Sequence, residues 1–472
     1  GFSNIDSIAG GMAADTITGP NADQTWTISG SEAGDVASTF FSEFEALVGG
    51  SLNDTFNFNN GVALDFSING GAQTGADIVS FAASTVAVSV ELSLLSNIET
   101  LNDSGVANDS LVGTTGNDTF DVTSANSGTF NTNLAFTGWE NLSGAGGNDS
   151  FLFSTAGSSV AGNVDGQSGT DTLNYDGLGA VVNVLLTSSG ADGFGGTGPA
   201  LAAFSNMDAL TGNTGSTDSV AALDVASTWT VTGTPALTTG SYSVGAPAPT
   251  LALSSFETLI GAATAADDFN VSGTPTATLD GRGGDDEFEF ATGALLTGSL
   301  TGGTGNDTLN YANSATDINV LLTGPGTGGV GFDGTSTSVT AGSFTSIDTI
   351  SGGSGDDTLA GLAATAGVWT IDTISTYVVA TNTLEFSGVD NLTGSSAADT
   401  FKVNVSATVD IDAGGDADRF EVASGAVITG TLAGGAGADI FDFDGTITLP
   451  TLDGGTENDT LLGGTEDDTI LG

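Results

Sequence analysis

The 472-residue chain contains no cysteine and no histidine. The first absence excludes disulfides and thiolate metal sites, and the second removes imidazole ligands and the commonest general base. Lysine and arginine together number 3 against 57 acidic residues, a formal net charge of −54. A chain so charged repels nucleic acid and anionic membranes, so neither is expected as a partner. Apolar runs such as AVVNVLL (180–186) are far too short for membrane insertion. The opening residues, GFSNIDSIAGG, lack a charged and apolar leader pattern and an initiator Met. Two expectations stay open: a leader has been removed, or the chain is an excerpt of something longer.

What is abundant is glycine, 73 residues, about double average usage and without the three-residue period of collagen. A charge of −54 alone would suggest disorder, but 26 Phe and a 39% hydrophobic content allow a buried core. A fold that tolerates this repulsion is expected to recruit cations.

The glycines mark a recurring phrase. GGTENDTLLGGTEDDTILG (454–472) holds two copies of a nine-residue unit: two Gly, two variable residues, Asn or Asp, Asp, Thr and an aliphatic. Single copies are GGMAADTIT (10–18), GGSLNDTFN (49–57), GGTGNDTLN (302–310), GGSGDDTLA (352–360) and GGAGADIFD (434–442). Looser copies occur at 113–121, 144–152, 166–174, 281–289 and 394–402. A second phrase, an aromatic or Leu, two spacers, an apolar residue, an acid, a spacer and an aliphatic, opens cassettes near 1–60, 204–270 and 344–402. It reads FSNIDSI (2–8), FSNMDAL (204–210), FTSIDTI (344–350) and FSGVDNL (386–392), with LSNIETL (95–101) and FTGWENL (136–142) as shortened relatives. Phe204 to Phe344 and Trp229 to Trp369 share one offset of 140 residues (344 − 204 and 369 − 229).

These phrases alternate like short strands ending at turns, and no segment keeps a helical period. The Gly/Ser/Thr/Pro-rich stretches 188–200, 235–249 and 324–337 read as loops bulging from the main body. Asp399, Asp418, Asp439 and Asp459 are separated by 19, 21 and 20 residues. Short strands with glycine turns at that period suit an all-β, parallel β-solenoid of about 20-residue coils. The chain is therefore expected to be one continuous solenoid over 1–472, about 23 coils stacked at about 4.8 Å into a rod about 110 Å long. The wide gap from Asp307 to Asp357 would hold two coils or an insertion. The residue after each Asp-Thr would point inward, so Phe56, Phe120, Phe151, Phe288, Leu309, Leu359, Phe401, Phe420 and Leu461 are expected to form one internal stack.

Any single turn Asp is explained by hydrogen bonds to nearby backbone N–H groups. A column of them is not, because carboxylates about 5 Å apart repel by about 3 kcal/mol at an effective dielectric of 20. The few bases, Arg282, Lys402 and Arg419, relieve little of this. A hard divalent cation held by carboxylates and turn carbonyls would, and Ca²⁺ suits such ligands better than Mg²⁺.

GGTGNDTLN, GGSGDDTLA and GGAGADIFD also match the GGxGxDxUx nonapeptide, so the chain resembles the RTX, or haemolysin-type calcium-binding, repeat proteins. In that family successive turns of a parallel β-roll sandwich Ca²⁺ between Asp carboxylates and turn carbonyls. The resemblance implies Asp307, Asp357, Asp439, Asp459 and Asp468 as leading ligands, then Asp54, Asp118, Asp149, Asp171, Asp286, Asp399 and Asp418. Departures are the scarcity of tandem copies, Glu457 and Glu466 at the fourth position, and Arg419 beside Asp418, where its charge would substitute for a metal. More loosely, the chain looks like long β-strand-repeat proteins of bacterial surfaces.

The expectation is a non-catalytic extracellular or cell-surface structural protein, an RTX-like tandem end at 434–472 included. It would be a Ca²⁺-stiffened rod in a filament, surface layer or adhesin, partnered by itself head to tail or by neighbouring repeats, and in some settings by surface polysaccharide. The alternatives are a polysaccharide-active β-helix enzyme, which three basic residues serve poorly, and a glycan- or ice-binding module.

Overall fold

The computed structural model describes residues 4–72, 75–234, 237–245, 249–326, 330–444, 447–448, 451–463 and 470–471. Strands make up 51% of the chain and helix 1%, and long parallel sheets of many strands give it a β-solenoid architecture. Two compact units are distinguished: Gly1–Val220 with Ala246–Ser255, and Ala221–Gly245 with Phe256–Gly472.

Within each unit successive coils add strands to two parallel ladders. In the first unit Thr119–Ser124, Ser150–Phe153, Thr172–Asn174, Ala209–Thr211 and Thr250–Ser254 pair in that order. Ser89–Glu91, Ser110–Val112, Asn141–Ser143, Asn163–Asp165 and Ala203–Met207 form the companion ladder. In the second unit the ladders run Asp267–Val271, Glu287–Phe290, Thr308–Asn310, Thr349–Ser351 and Asn382–Ser387, and Thr358–Ala360, Asn391–Ser395, Asp410–Gly414, Thr431–Ala433 and Thr451–Asp453.

The side-chain period of two sends alternate residues inward, and parallel register places like on like. Phe401, Phe420 and Phe441 are fully or almost fully buried, with ring centroids 5.3 and 4.7 Å apart and planes within 16°. Phe120 and Phe151 stack at 5.1 Å, and Trp229, Phe269 and Phe288 at 5.7 and 5.0 Å. Of the nine residues expected in one stack, Leu359 instead belongs to the companion ladder, between Val320 and Leu392. Leu461 keeps the inward register opposite Phe441 but is 43% exposed.

The supposed loops are corrected by the structure: they contain strands. Gly193–Thr197 is antiparallel to both Asn183–Gly190 and Ala203–Met207. Phe332–Ser336 stands the same way between Asn319–Pro325 and Val339–Ile347, and Leu237–Ser243 pairs antiparallel with Ser227–Thr234. Residues 235–236, 246–248 and 327–329 of those stretches lie outside the described residues. Glycine and threonine obscured the alternation, since neither reads as apolar, yet Phe194 and Phe332 are buried at its inward positions.

Such three-strand inserts share one topology, also seen at Gln24–Ser42, Thr119–Thr137 and Val368–Ser387. The third strand pairs with the preceding coil and the first with the following one. Thus Thr39–Ser42 lies beside Ser7–Ala9, and Gln24–Gly30 beside Asp54–Phe58. The gap from Asp307 to Asp357 is an insertion of this kind.

Phe420→Ala should cost about 3–5 kcal/mol through the cavity it leaves, whereas Phe40→Ala, at a side chain 64% exposed, should change stability by less than about 0.5 kcal/mol. Equilibrium urea unfolding followed by near-ultraviolet circular dichroism measures both; equal effects would contradict the inward stack.

Candidate functional site

The turn aspartates enter the fold rather than solvent. Asp54, Asp118, Asp149, Asp171, Asp286, Asp307, Asp357, Asp399, Asp418 and Asp439 are each at most 3% exposed. Asp459 is exposed, and Asp468 lies outside the described residues, as do 464–467, 469 and 472 of the terminal tandem.

Six of these buried carboxylates, those of Asp149, Asp171, Asp286, Asp307, Asp418 and Asp439, are rungs. The backbone N–H of one turn Asp donates to the carboxylate of the next: Asp118 to Asp149 and Asp149 to Asp171, both at 2.8 Å. The same bond links Asp267 to Asp286 and Asp286 to Asp307 at 2.8 and 3.0 Å. Asp399, Asp418, Asp439 and Asp459 continue it at 2.7, 2.8 and 3.1 Å.

The acids of the second sequence phrase supply rungs too, which reading the turns alone missed. Where an insert's third strand follows, the turn N–H donates to the acid at or just beyond that strand: Asp15 to Glu45, Asp109 to Glu140, Asp171 to Asp208, Asp307 to Asp348 and Asp357 to Asp390. Asp77 donates to Glu99 in the same way with no insert between them. The signal was present in the sequence, since every copy of that phrase carries an acid at one position.

Two kinds of turn hold these rungs. In the first, a turn lies against an insert and its carboxylate is saturated by nearby donors. Asp357 takes the Gly353 N–H at 2.6 Å and the Ile318 N–H at 2.8 Å; Asp399 takes the Ser395 and Gly367 N–H groups at 2.6 and 2.5 Å. Asp118 takes Thr114 and the Asn131 amide. Asp54 is the exception: its Oδ2 takes the Gly50 N–H at 2.6 Å, but its buried Oδ1 has no partner.

In the second, turn stacks on turn. Parallel bridges join Gly146 to Ser168, Gly283 to Thr304, Gly415 to Ala436 and Ala436 to Thr456. These turns use positive φ at two places, +115° at Gly303 and +140° at Gly305, for instance, which swings the N–H groups away from their own Asp. One carboxylate oxygen then has no donor. The buried Oδ2 atoms of Asp149, Asp171, Asp286, Asp307, Asp418 and Asp439 all lack a hydrogen-bond partner.

Burial, opposed only partly by the rung hydrogen bond, pushes these carboxyls up: Asp149, Asp171 and Asp307 to about 6, Asp286 and Asp418 to about 7. Asp439 rises for the same reason. Arg419, expected to neutralise Asp418, does not reach it. Its Nε donates to Glu421 at 2.7 Å and its Nη2 to Asp442, along the outer sheet face.

The first glycine of a stacked turn bounds a small cradle. A Cβ at Gly144, Gly281 or Gly434 would overlap the unpaired Oδ2 of Asp149, Asp286 or Asp439. It would also lie 2.7 Å from the carbonyl oxygen of Gly166, Gly302 or Gly454 in the next coil. A carboxylate oxygen and a carbonyl oxygen thus face one spot, a hard-oxygen donor set of the kind Ca²⁺ accepts. Among the described residues no group of three or more acidic side chains converges as a metal cluster, so carbonyls would have to complete any such site. No family model and no curated protein matches the chain.

In chelated buffer these carboxyls bind protons more tightly folded than unfolded, where the ordinary value is 3.8. Their stabilisation is fully present below that value and is lost as pH rises through about 6 to 7. The metal-free melting temperature should therefore fall from pH 4 to pH 8; a flat or rising profile would contradict the buried, unpaired state.

Proposed function

We propose that the chain is a non-catalytic structural protein of the cell exterior, a β-solenoid stiffened by Ca²⁺ where turn stacks on turn, serving in a surface filament, surface layer or adhesin. The observation that carries this reading is the set of buried carboxylate oxygens without a donor, six of them the Oδ2 atoms of rung aspartates and a seventh the Oδ1 of Asp54; three of the six have a carbonyl of the next coil at the same cradle. Leaving such an oxygen charged and unpaired costs stability, about 1–3 kcal/mol or more for each. A cation at that place offsets the cost and ties adjacent coils together.

Asp149, Asp171, Asp286, Asp307, Asp418 and Asp439 are the residues this reading assigns to the metal, with the first-glycine carbonyls of the stacked turns. Asp118, Asp357 and Asp399, already saturated by N–H donors, are left out of it despite their matching sequence. The net charge of −54 favours cation uptake over the whole surface. Buried ladder carboxylates are also out of reach of a polymeric substrate, which supports a structural rather than a hydrolytic role. The likeness to RTX repeats is one of turn chemistry, confined in this reading to the stacked turns.

Ca²⁺ should raise the melting temperature sharply over chelated protein near pH 7.5, and an unchanged melt would sink the metal assignment. Asp286→Asn keeps an oxygen for the Asp267 N–H while turning the unpaired oxygen into a donor facing the Gly302 carbonyl. It should stabilise the metal-free protein by about 1 kcal/mol and shrink the Ca²⁺ response, whereas Asp357→Asn should leave the number of ions bound, counted by titration calorimetry, unchanged.

A further inference from the structure

One aromatic ring departs from the burial of all the others. Phe40 is 64% exposed, whereas every other aromatic side chain among the described residues is at most 7% exposed. Aliphatic side chains exposed singly are ordinary on a folded surface. A ring left out where all others are buried is not. Register fixes which ring it is. In Thr39–Ser42 the side chains alternate, and Phe41 takes the inward place, 3% exposed, with its ring centroid 5.9 Å from that of Trp26. Gly34 lies so close that a Cβ there would overlap the Phe41 ring, so the inward site is full and Phe40 faces out. Strands stand on both sides of it, with Ser7 and Asp35 as its Cα partners. Its exposure therefore comes from the face it lies on and not from an edge.

The neighbours on that face are polar and uncommitted. Across consecutive strands of one sheet Phe40 lies opposite Asp35, Asp35 opposite Thr27, and Thr27 opposite Asn57. None of these three polar side chains is buried, and none makes a hydrogen bond among the described residues. Elsewhere on the sheet outward acids such as Asp121, Glu287, Glu289 and Glu421 are held by Ser154, Asn310, Asn313 and Arg419. Here a ring, a carboxylate, a hydroxyl and an amide stand in one row and bind nothing within the described chain.

We infer that this face binds a neutral, extended β-linked polysaccharide, one pyranose stacking its C–H face on Phe40 while hydroxyls of the chain bond to Asp35, Thr27 and Asn57. A pyranose is apolar on its C–H face and polar around its rim, so a ring beside uncommitted hydrogen-bonding groups complements both parts. Strands about 4.8 Å apart step at nearly the repeat of such a glycan, so successive sugars meet successive strands. A net charge of −54, with Asp35 in the row, disfavours an anionic polymer. One ring amid polar groups is too little apolar surface for a protein interface. The inference goes beyond the structural role proposed above and does not depend on the metal assignment.

Native affinity electrophoresis of the 472-residue chain in gels containing mixed-linkage β-glucan, arabinoxylan or glucomannan, with pull-down on cellulose and chitin, reads this directly. Alginate serves as the acidic control. At least one neutral polymer should retain the wild type. Phe40→Ala should weaken that binding about tenfold and Phe40→Trp should preserve it. Asp35→Ala and Asn57→Ala should each weaken it, whereas Ile374→Ala, at a side chain 61% exposed in the second unit, should not. All variants should keep the wild-type melting temperature. Binding to none of the neutral polymers would overturn the inference. So would binding that Phe40→Ala leaves intact, or alginate bound in preference. Glycan binding of this kind in a protein whose melt ignores Ca²⁺ would support this face and reject the metal assignment alone.

Discussion

One hydrogen bond governs the molecule: the N–H of a turn aspartate donating to the carboxylate of the coil that follows. It lets a carboxylate serve as backbone acceptor at a depth where water is excluded, and it sets the coil repeat at 19 to 23 residues where no insert intervenes. Glycine stands beside most rungs, where a Cβ at Gly144, Gly281 or Gly434 would collide with the carboxylate, while Ala413 holds that place beside Asp418. The aromatic stacks then follow, since rungs in register hold the next inward positions in register.

The inserts decide which rungs are complete. A turn beside an insert's first strand finds nearby N–H donors and closes its carboxylate. A turn resting on another turn finds the earlier rung and no more. The uneven distribution of inserts therefore writes a pattern of saturated and unsaturated carboxylates along a nearly uniform repeat. Asp357 and Asp307 illustrate this. Both sit in GGxGxD phrases, but Asp357 follows the insert Asn319–Ile347 and has both oxygens occupied, whereas Asp307 stacks on Asp286 and has one unpaired.

The all-β class, the coil repeat and the inward Phe residues were legible in the sequence because spacing and alternation are local properties. The turn aspartates were legible as a set, although their distinction was not. Asp118 closes its second oxygen with the Asn131 amide of an insert 13 residues on, whereas Asp149, whose turn is bridged to the next at Gly146 and Ser168, keeps one free. The acids Glu140, Asp208 and Asp348 stood in a visible phrase, but their pairing needs the strand reversal of the inserts, which no short-range pattern encodes. The middle strands were missed because Gly196 and Gly334 pack backbone against the Phe204 and Phe344 rings. There the absence of a side chain is the packing feature.

That reversal bears on assembly in time. A chain made or exported N-terminus first cannot lengthen this stack one strand after another. Gln24–Gly30 has its parallel neighbour, Asp54–Phe58, still to come, and it reaches the earlier Ser7–Ala9 only through Ala33–Val36 and Thr39–Ser42. Growth therefore alternates between single-strand additions and steps in which three strands settle together. Until an insert's third strand is in place, the edge of the coil before it stays without its parallel neighbour.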